Sequence, residues 1–303
     1  MKTFLDFVGE TDFKSISYEQ FHLTPDDILK QMAKANKRTF ITLSPESHDM
    51  RVAKLAGRGV YSPDEMERWI DKALDFGIYG IDIWYFIGMP QQDEKSVWES
   101  VEYCHKLLRM FKGKRVTPLL CPMIPFLDPA STFFEFPEQH GYKVFYRTVE
   151  EHRRGMERAS LINRTNYETK FLSRRDLTMV GYEAVKRLTQ LKADEGFLPG
   201  RITASVIRKI EDAMEFIDVV HEVDCISDNR ERERELSKLS DEIKRRNHSI
   251  FFTGVANQAF PINREIGGRW FDEMLFDVSV LESAHNAATA AAGSAQSRYV
   301  SKG

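Results

Sequence analysis

The sequence predicts an α/β fold: a partial parallel (β/α) barrel of the TIM-like kind, followed by a mostly helical C-terminal region. Three observations carry this. Short apolar runs alternate with segments of helical period over the first 130 residues. The helices between them open on capping residues and close on glycine. Past residue 130 the strand-like runs give way to long helical patterns.

Taken in order, "KSISYEQF" (Lys14 to Phe21) alternates like a strand. In Thr24-Pro25-Asp26-Asp27, Thr24 is a candidate cap, Pro25 suits a first helical turn and the acids complement the helix dipole. The helix that follows carries Ile28, Leu29, Met32 and Ala33 on one face. A second strand, "RTFITLS", runs from Arg38 to Ser44. Ser62-Pro63-Asp64-Glu65 matches a capping box, and its helix places Met66, Trp69, Ile70, Ala73 and Leu74 at helical spacing before Gly77. "YGIDIWYFIG" is a third strand. A helix with Val97, Trp98, Val101, Cys104 and Leu108 on one face then stops at Gly113, and "RVTPLLCPMIPF" is a fourth strand.

The expected organisation is barrel over 1–130, an aromatic cap and helical extension over 131–200, a helical region over 201–283 and a disordered tail over 284–303, where "SAHNAATAAAGSAQSRYVSKG" is small, polar and low in complexity. "DNRERERELSKLSDEIKRRN" reads as one charged helix with a narrow stripe of Leu236, Leu239 and Ile243; its interleaved signs suit a solvated face.

Composition bounds the function. The chain has 303 residues, 42% hydrophobic and 29% charged, with a net charge of −3 and a pI near 6.3. No basic excess serves a general nucleic-acid binder, although local basic patches are compatible with it. No window approaches about 18 uninterrupted apolar residues, so no membrane span is expected. The start lacks a long apolar signal core and Cys104, Cys121 and Cys225 lie far apart, which together read as a cytoplasmic, reduced protein.

Chemistry on parallel βα units collects after the C-terminal strand ends. Two loops there hold polar groups, "SPESHD" and "GMPQQD". The two-residue period assigns Ile41 and Leu43 to the helix side of the second strand and Phe40, Thr42, Ser44 and Glu46 to the inner side. Ser17, Glu19 and Phe21 on the first strand, and Asp82, Trp84, Phe86 and Gly88 on the third, face inward by the same rule. Three neighbouring strands thus aim a carboxylate inward: Glu19, Glu46 and Asp82. Buried carboxylates need partners, and pairing with Arg51, Arg58 or backbone amides is the structural alternative to a substrate role. His48 with Asp49 and Glu46 is spaced too tightly for one ion without an unusual turn, so no metal ligand is assigned and His48 reads as shaping its loop. Trp84 and Phe86 read as packing, Cys104 as core, and Cys121 as a buried thiol at a strand end.

The stretch "ITLSPESHDMRVAKLAGRGVYSPDEMERWIDKALDFGIYGIDIWYFIGMPQQDEKSV" resembles the second half of a radical S-adenosylmethionine enzyme core, and "NYETKFLSRRDLTMVGYEAVKRLTQLKADEGFLPG" looks like the helical region after that core in members that also carry a cobalamin-binding domain. The resemblance covers residues 14 to 200. It implies a six-unit partial barrel that binds S-adenosylmethionine against a [4Fe-4S] cluster held by Cys-x3-Cys-x2-Cys, and a 5′-deoxyadenosyl radical or methyl transfer as the chemistry. By position, Ser44, Glu46 and Ser47 would line the ribose and methionine part of the cofactor, with Arg51 or Arg58 on its carboxylate. Ile87, Gly88 and Met89 would pass near the adenine, as would Pro122 and Met123. Glu19, Asp82 and Trp84 are the substrate-side candidates.

The chain departs from the family in having no Cys-x3-Cys-x2-Cys and about four strands instead of six. The expectation is therefore a fragment that is inactive alone and is completed by an N-terminal half, on the same gene or a separate chain, acting on a small-molecule or natural-product substrate. Two other classes compete: a non-catalytic binding or assembly module, and a metal-dependent barrel hydrolase using Glu46, His48 and Asp49.

Overall fold

The computed structural model describes residues 2–123 and 127–246. Its centre is a parallel four-stranded sheet in sequential order, β1 (Ile16–Gln20), β2 (Thr39–Glu46), β3 (Gly80–Ile87) and β4 (Val116–Pro122). The connecting helices are α2 (Asp26–Ala35), α3 (Met50–Leu55) with α4 (Pro63–Asp75), and α5 (Glu94–Met110); α1 (Lys2–Gly9) precedes β1. Four strands of a parallel α/β sheet are thus present among the described residues.

Register explains the two faces. Ile41 aligns with Ile81, and Ile81 with Val116. These residues join Leu43, Ile83, Tyr85 and Ile87 in one core against Leu29 and Met32 of α2, Met66 and Ile70 of α4, and Val97, Val101 and Cys104 of α5. Thr42, Asp82 and Thr117 align on the opposite face, where Ser17 Oγ lies 3.4 Å from Thr42 Oγ1. The alternation expected for β1 and β3 is the observed one.

Helix starts follow sequence chemistry with one correction. Ser62 and Glu65 form the capping box of α4, with Pro63 in the first turn. At α2 the residue before the helix is Pro25, with no side-chain cap. Thr24 instead donates its hydroxyl to Gln20 Oε1 at 2.6 Å, because the chain enters α2 already extended and the nearest free acceptor lies at the end of β1.

Beyond the sheet, α6 (Thr132–Glu135), a 3-10 turn (Pro137–His140) and β5 (Tyr142–Val144) form the aromatic cap. β5 pairs antiparallel with β6 (Tyr167–Thr169), a second small sheet that the sequence pattern does not reveal. α7 (Val149–Met156) and α8 (Leu161–Arg164) lie between them. α9 (Arg174–Asp194) packs on α5 and β4 with one face and on α10 (Gly200–Asp224) with another. Buried Leu177, Val180, Ala184, Leu188 and Leu191 extend the sheet core; Tyr182 and Val185 join Val206, Ile210, Ala213 and Ile217 in a second.

The charged segment is two helices and not one, α11 (Asn229–Lys238) and α12 (Ser240–Arg246), broken at Leu239. α11 packs on α10 but buries no residue, so little apolar burial holds it continuous with its neighbour. The helical region expected over 201–283 is described as far as 246; its remainder and the tail at 284–303 lie outside the described residues. No helix among the described residues is long and apolar enough to cross a membrane.

Candidate functional site

The C-terminal end of β2 is bent by its own pairing. Leu43 aligns with Ile83 and Glu46 with Tyr85, so three steps on β2 match two on β3. This bulge at Ser44–Pro45 breaks the strict alternation that placed Glu46 in line with Phe40 and Thr42. Glu46 adopts a left-handed backbone, φ 67°, and its carboxylate accepts from Arg58 Nε at 3.1 Å and Nη2 at 3.1 Å. The Arg58 guanidinium also sits over the Phe21 ring, 4.3 Å from its centroid. Burial pushes the Glu46 carboxyl up from its ordinary value; Arg58 opposes this and Glu19 adds to it. The Tyr61 hydroxyl, buried in the same loop, has no hydrogen-bond partner among the described residues. Glu19, Phe21, Glu46, Arg58 and Tyr61 thus converge at the β1–β2 end of the sheet.

The rest of "SPESHD" turns away from that group. Asp49 caps α3 by accepting from Arg51 N at 2.7 Å, and Ser47 Oγ accepts from Asp49 N at 3.1 Å. Arg51 points to solvent, its side chain 70% exposed, and its ion pair is with Asp49 at 3.4 Å. His48 Nδ1 lies 3.0 Å from Ser100 Oγ. That hydroxyl spends its proton on Ser96 O, so Nδ1–H is the donor to it. The imidazole stacks on Tyr103, 5.5 Å between centroids, and burial lowers its pKa, against the opposing pull of Asp49 and Glu99. His48, Tyr61, Tyr85, Tyr103, Met50 and Met66 line a cavity of about 10 Å³ on the helix side, room for about one water.

The β3 end is closed by side chains. Gln92 is fully buried; its Oε1 accepts from Gly88 N at 2.8 Å and Met89 N at 3.2 Å, and its Nε2 donates to Phe86 O. Tyr142 Oη donates to Gly88 O at 2.8 Å, and Tyr167 Oη to Met123 O. Gly88 has φ 94°, and a Cβ there would lie 2.5 Å from Tyr167 Oη. The cap sheet therefore seats two tyrosines on the ends of β3 and β4.

Of the residues singled out in the sequence, Glu19, Glu46 and Arg58 come together, and Arg51 does not join them. Ser44 and Ser47 are buried. Ile87 belongs to the helix-side core, Met89 is buried, and the polar backbone of Gly88 is occupied as described. Pro122 aligns with Ile87 at the end of β4. Asp82 is buried in mid-strand, and Trp84 stacks near Phe86, its Nε1 buried with no partner among the described residues. Cys104 and Cys121 are buried, which pushes each thiol up to about 12, and Cys225 is exposed. Among the described residues no three His, Cys, Asp or Glu side chains are grouped to hold a metal ion. Glu46, His48 and Asp49 each face a different partner, so they form no common ligand set.

Residues that sequence reasoning passed over are Tyr61, Gln92, Tyr142 and Tyr167. Gln92 stood inside a loop recognised as polar. The two cap tyrosines carry no local signal, because their contacts cross 54 and 44 positions of chain.

Compared with known proteins, the chain matches no protein-family model, and no curated protein matches it.

Proposed function

We propose that this chain is the C-terminal part of a radical S-adenosylmethionine enzyme of the cobalamin-binding-domain type, and that its β1–β2 end takes the polar part of S-adenosylmethionine. The observation that carries the reading is the Glu46–Arg58 pair, held at the C-terminal end of sequential parallel strands. A carboxylate accepts from ribose hydroxyls and a guanidinium grips an amino-acid carboxylate. Arg58 is the better-placed of the two candidate arginines, and Glu19 adds a second acceptor on the neighbouring strand.

The adenine contact is narrower than the resemblance implies, since Gln92 and Tyr142 already use the backbone groups of Gly88 and Met89. The described residues do not fit a [4Fe-4S] cluster: the three cysteines sit on α5, on β4 and at the end of α10. No radical step is assigned to them. In this reading the cluster, and cobalamin if it is used, belong to an N-terminal half supplied on the same or another chain, and the small-molecule or natural-product substrate meets Asp82 and Trp84 on the inner face. Binding is tested by equilibrium dialysis with labelled S-adenosylmethionine: saturable uptake that fails in Glu46→Gln and Arg58→Gln supports the reading, and absence of uptake removes it.

A second reading, a non-catalytic assembly module, is favoured by one observation. Phe4, Phe7 and Phe13 are each at least half exposed around β1, whose second edge pairs with no strand among the described residues. A folded chain that associates but takes up no S-adenosylmethionine is the outcome expected from it.

A further inference from the structure

The opposite rim of the sheet carries a different chemistry. Two basic turns, Lys34-Ala-Asn-Lys37-Arg38 and Lys112-Gly-Lys-Arg115, lead into β2 and β4. These strands flank β3 in the parallel sheet, so the two turns lie at the same end. Tyr79, the residue before β3, stands between them: its amide donates to Thr39 O at 2.8 Å, and Ile81 N donates to Arg115 O at 2.8 Å. The Arg115 guanidinium lies 4.2 Å from the Tyr79 ring centroid and that of Arg38 lies 5.4 Å from it. Their carbons are therefore within 10 Å of each other. Phe40 holds the same ring edge-on at 5.2 Å. Gly80 makes the crowding possible, since a Cβ there would meet the Phe40 ring at 2.9 Å and the Arg115 stem at 3.3 Å.

Two like charges gathered on one ring repel unless something offsets them. Lys112 and Lys114 nearby have carboxylates, Glu195 and Asp71. Among the described residues, Arg38 and Arg115 have none within 4.0 Å, and neither guanidinium donates a hydrogen bond; Arg38 Nε is buried with no partner. The C-termini of α2, α4 and α5 end beside these turns, and their carbonyl dipoles offset part of the charge. Dipoles leave the guanidinium N–H forks unused, and such forks match the oxygens of a phosphate group.

We propose that this rim is an anion site at which Arg38 and Arg115, aligned by Tyr79, bind the phosphate group of a small molecule. The site lies at the end of the sheet away from Glu46 and Arg58 and stands whether or not that end binds S-adenosylmethionine.

The test is calorimetric titration of the full chain with inorganic phosphate and with pyrophosphate at constant ionic strength. Variants Arg38→Gln and Arg115→Gln are compared with Arg175→Gln, which removes an arginine paired with Asp218 elsewhere. The proposal expects saturable binding, tighter for pyrophosphate, weakened about tenfold or more in each rim variant and unchanged in Arg175→Gln. It also expects affinity to fall as sodium chloride is raised. Heats that do not saturate, or equal binding in all three variants, overturn it. Because Arg115 is exposed, its variant decides the question even if Arg38→Gln fails to fold.

Discussion

Arg58 binds Glu46 through both Nε and Nη2, each at 3.1 Å from Oε1, and so fastens the loop between α3 and α4 to the bulged end of β2. Glu46 is the more enclosed partner, its side chain 13% exposed against 31% for Arg58. Its folded pKa is raised by burial. The folded state therefore holds the proton more tightly than the unfolded chain, and stability owed to this group falls as pH rises from about 4.5 through the folded value. Urea midpoints of wild type and Glu46→Gln, measured from pH 4 to pH 7, should show wild type losing ground to the variant as pH increases. A constant difference contradicts this.

His48 has the opposite sign. Burial lowers its pKa, so the unfolded chain binds the proton more readily, and stability is lost as pH falls from about 6.5 through the folded value. The stability of wild type relative to His48→Gln should fall between pH 7 and pH 5. Nitrogen chemical shifts should also place the proton of the neutral ring on Nδ1, facing Ser100.

Gly88→Ala combines a left-handed backbone with a Cβ 2.5 Å from the Tyr167 hydroxyl. A loss of about 2 kcal/mol or more is expected from strain and overlap. Tyr167→Phe removes the clashing oxygen along with its bond to Met123 O, so the double variant should cost less than the two single costs combined, as read from denaturation midpoints.

Gln92→Ala leaves two buried N–H groups, of Gly88 and Met89, and the Phe86 carbonyl without their partner. About 2–4 kcal/mol of destabilisation is expected. Amide exchange should quicken first at Gly88 and Met89, before the β2 amides respond.

The repeating part of the fold was legible because it is written in local pattern. Ser62 and Glu65 announce α4 by their spacing, and Ile81, Ile83 and Ile87 mark one face of β3 by theirs. The bulge at Ser44–Pro45 was not legible: alternation counts residues, and an extra residue that pairs with nothing leaves no mark in hydrophobicity. Glu46 was therefore found for a reason that fails at that position, although it does meet Arg58. Gln92 and Tyr167 were missed for a different reason. Their partners are backbone atoms of Gly88 and Met123, and a backbone acceptor has no sequence signature. Thr24 shows the limit of capping rules, since a hydroxyl takes the nearest acceptor that geometry offers, here Gln20.

The most direct test of the central claim is equilibrium dialysis of S-adenosylmethionine against wild type, Glu46→Gln and Arg58→Gln, each checked for native circular dichroism. The account predicts one saturable site in wild type and a loss of about tenfold or more in both variants. Folded wild-type protein that takes up none, or variants that bind as wild type does, would contradict it.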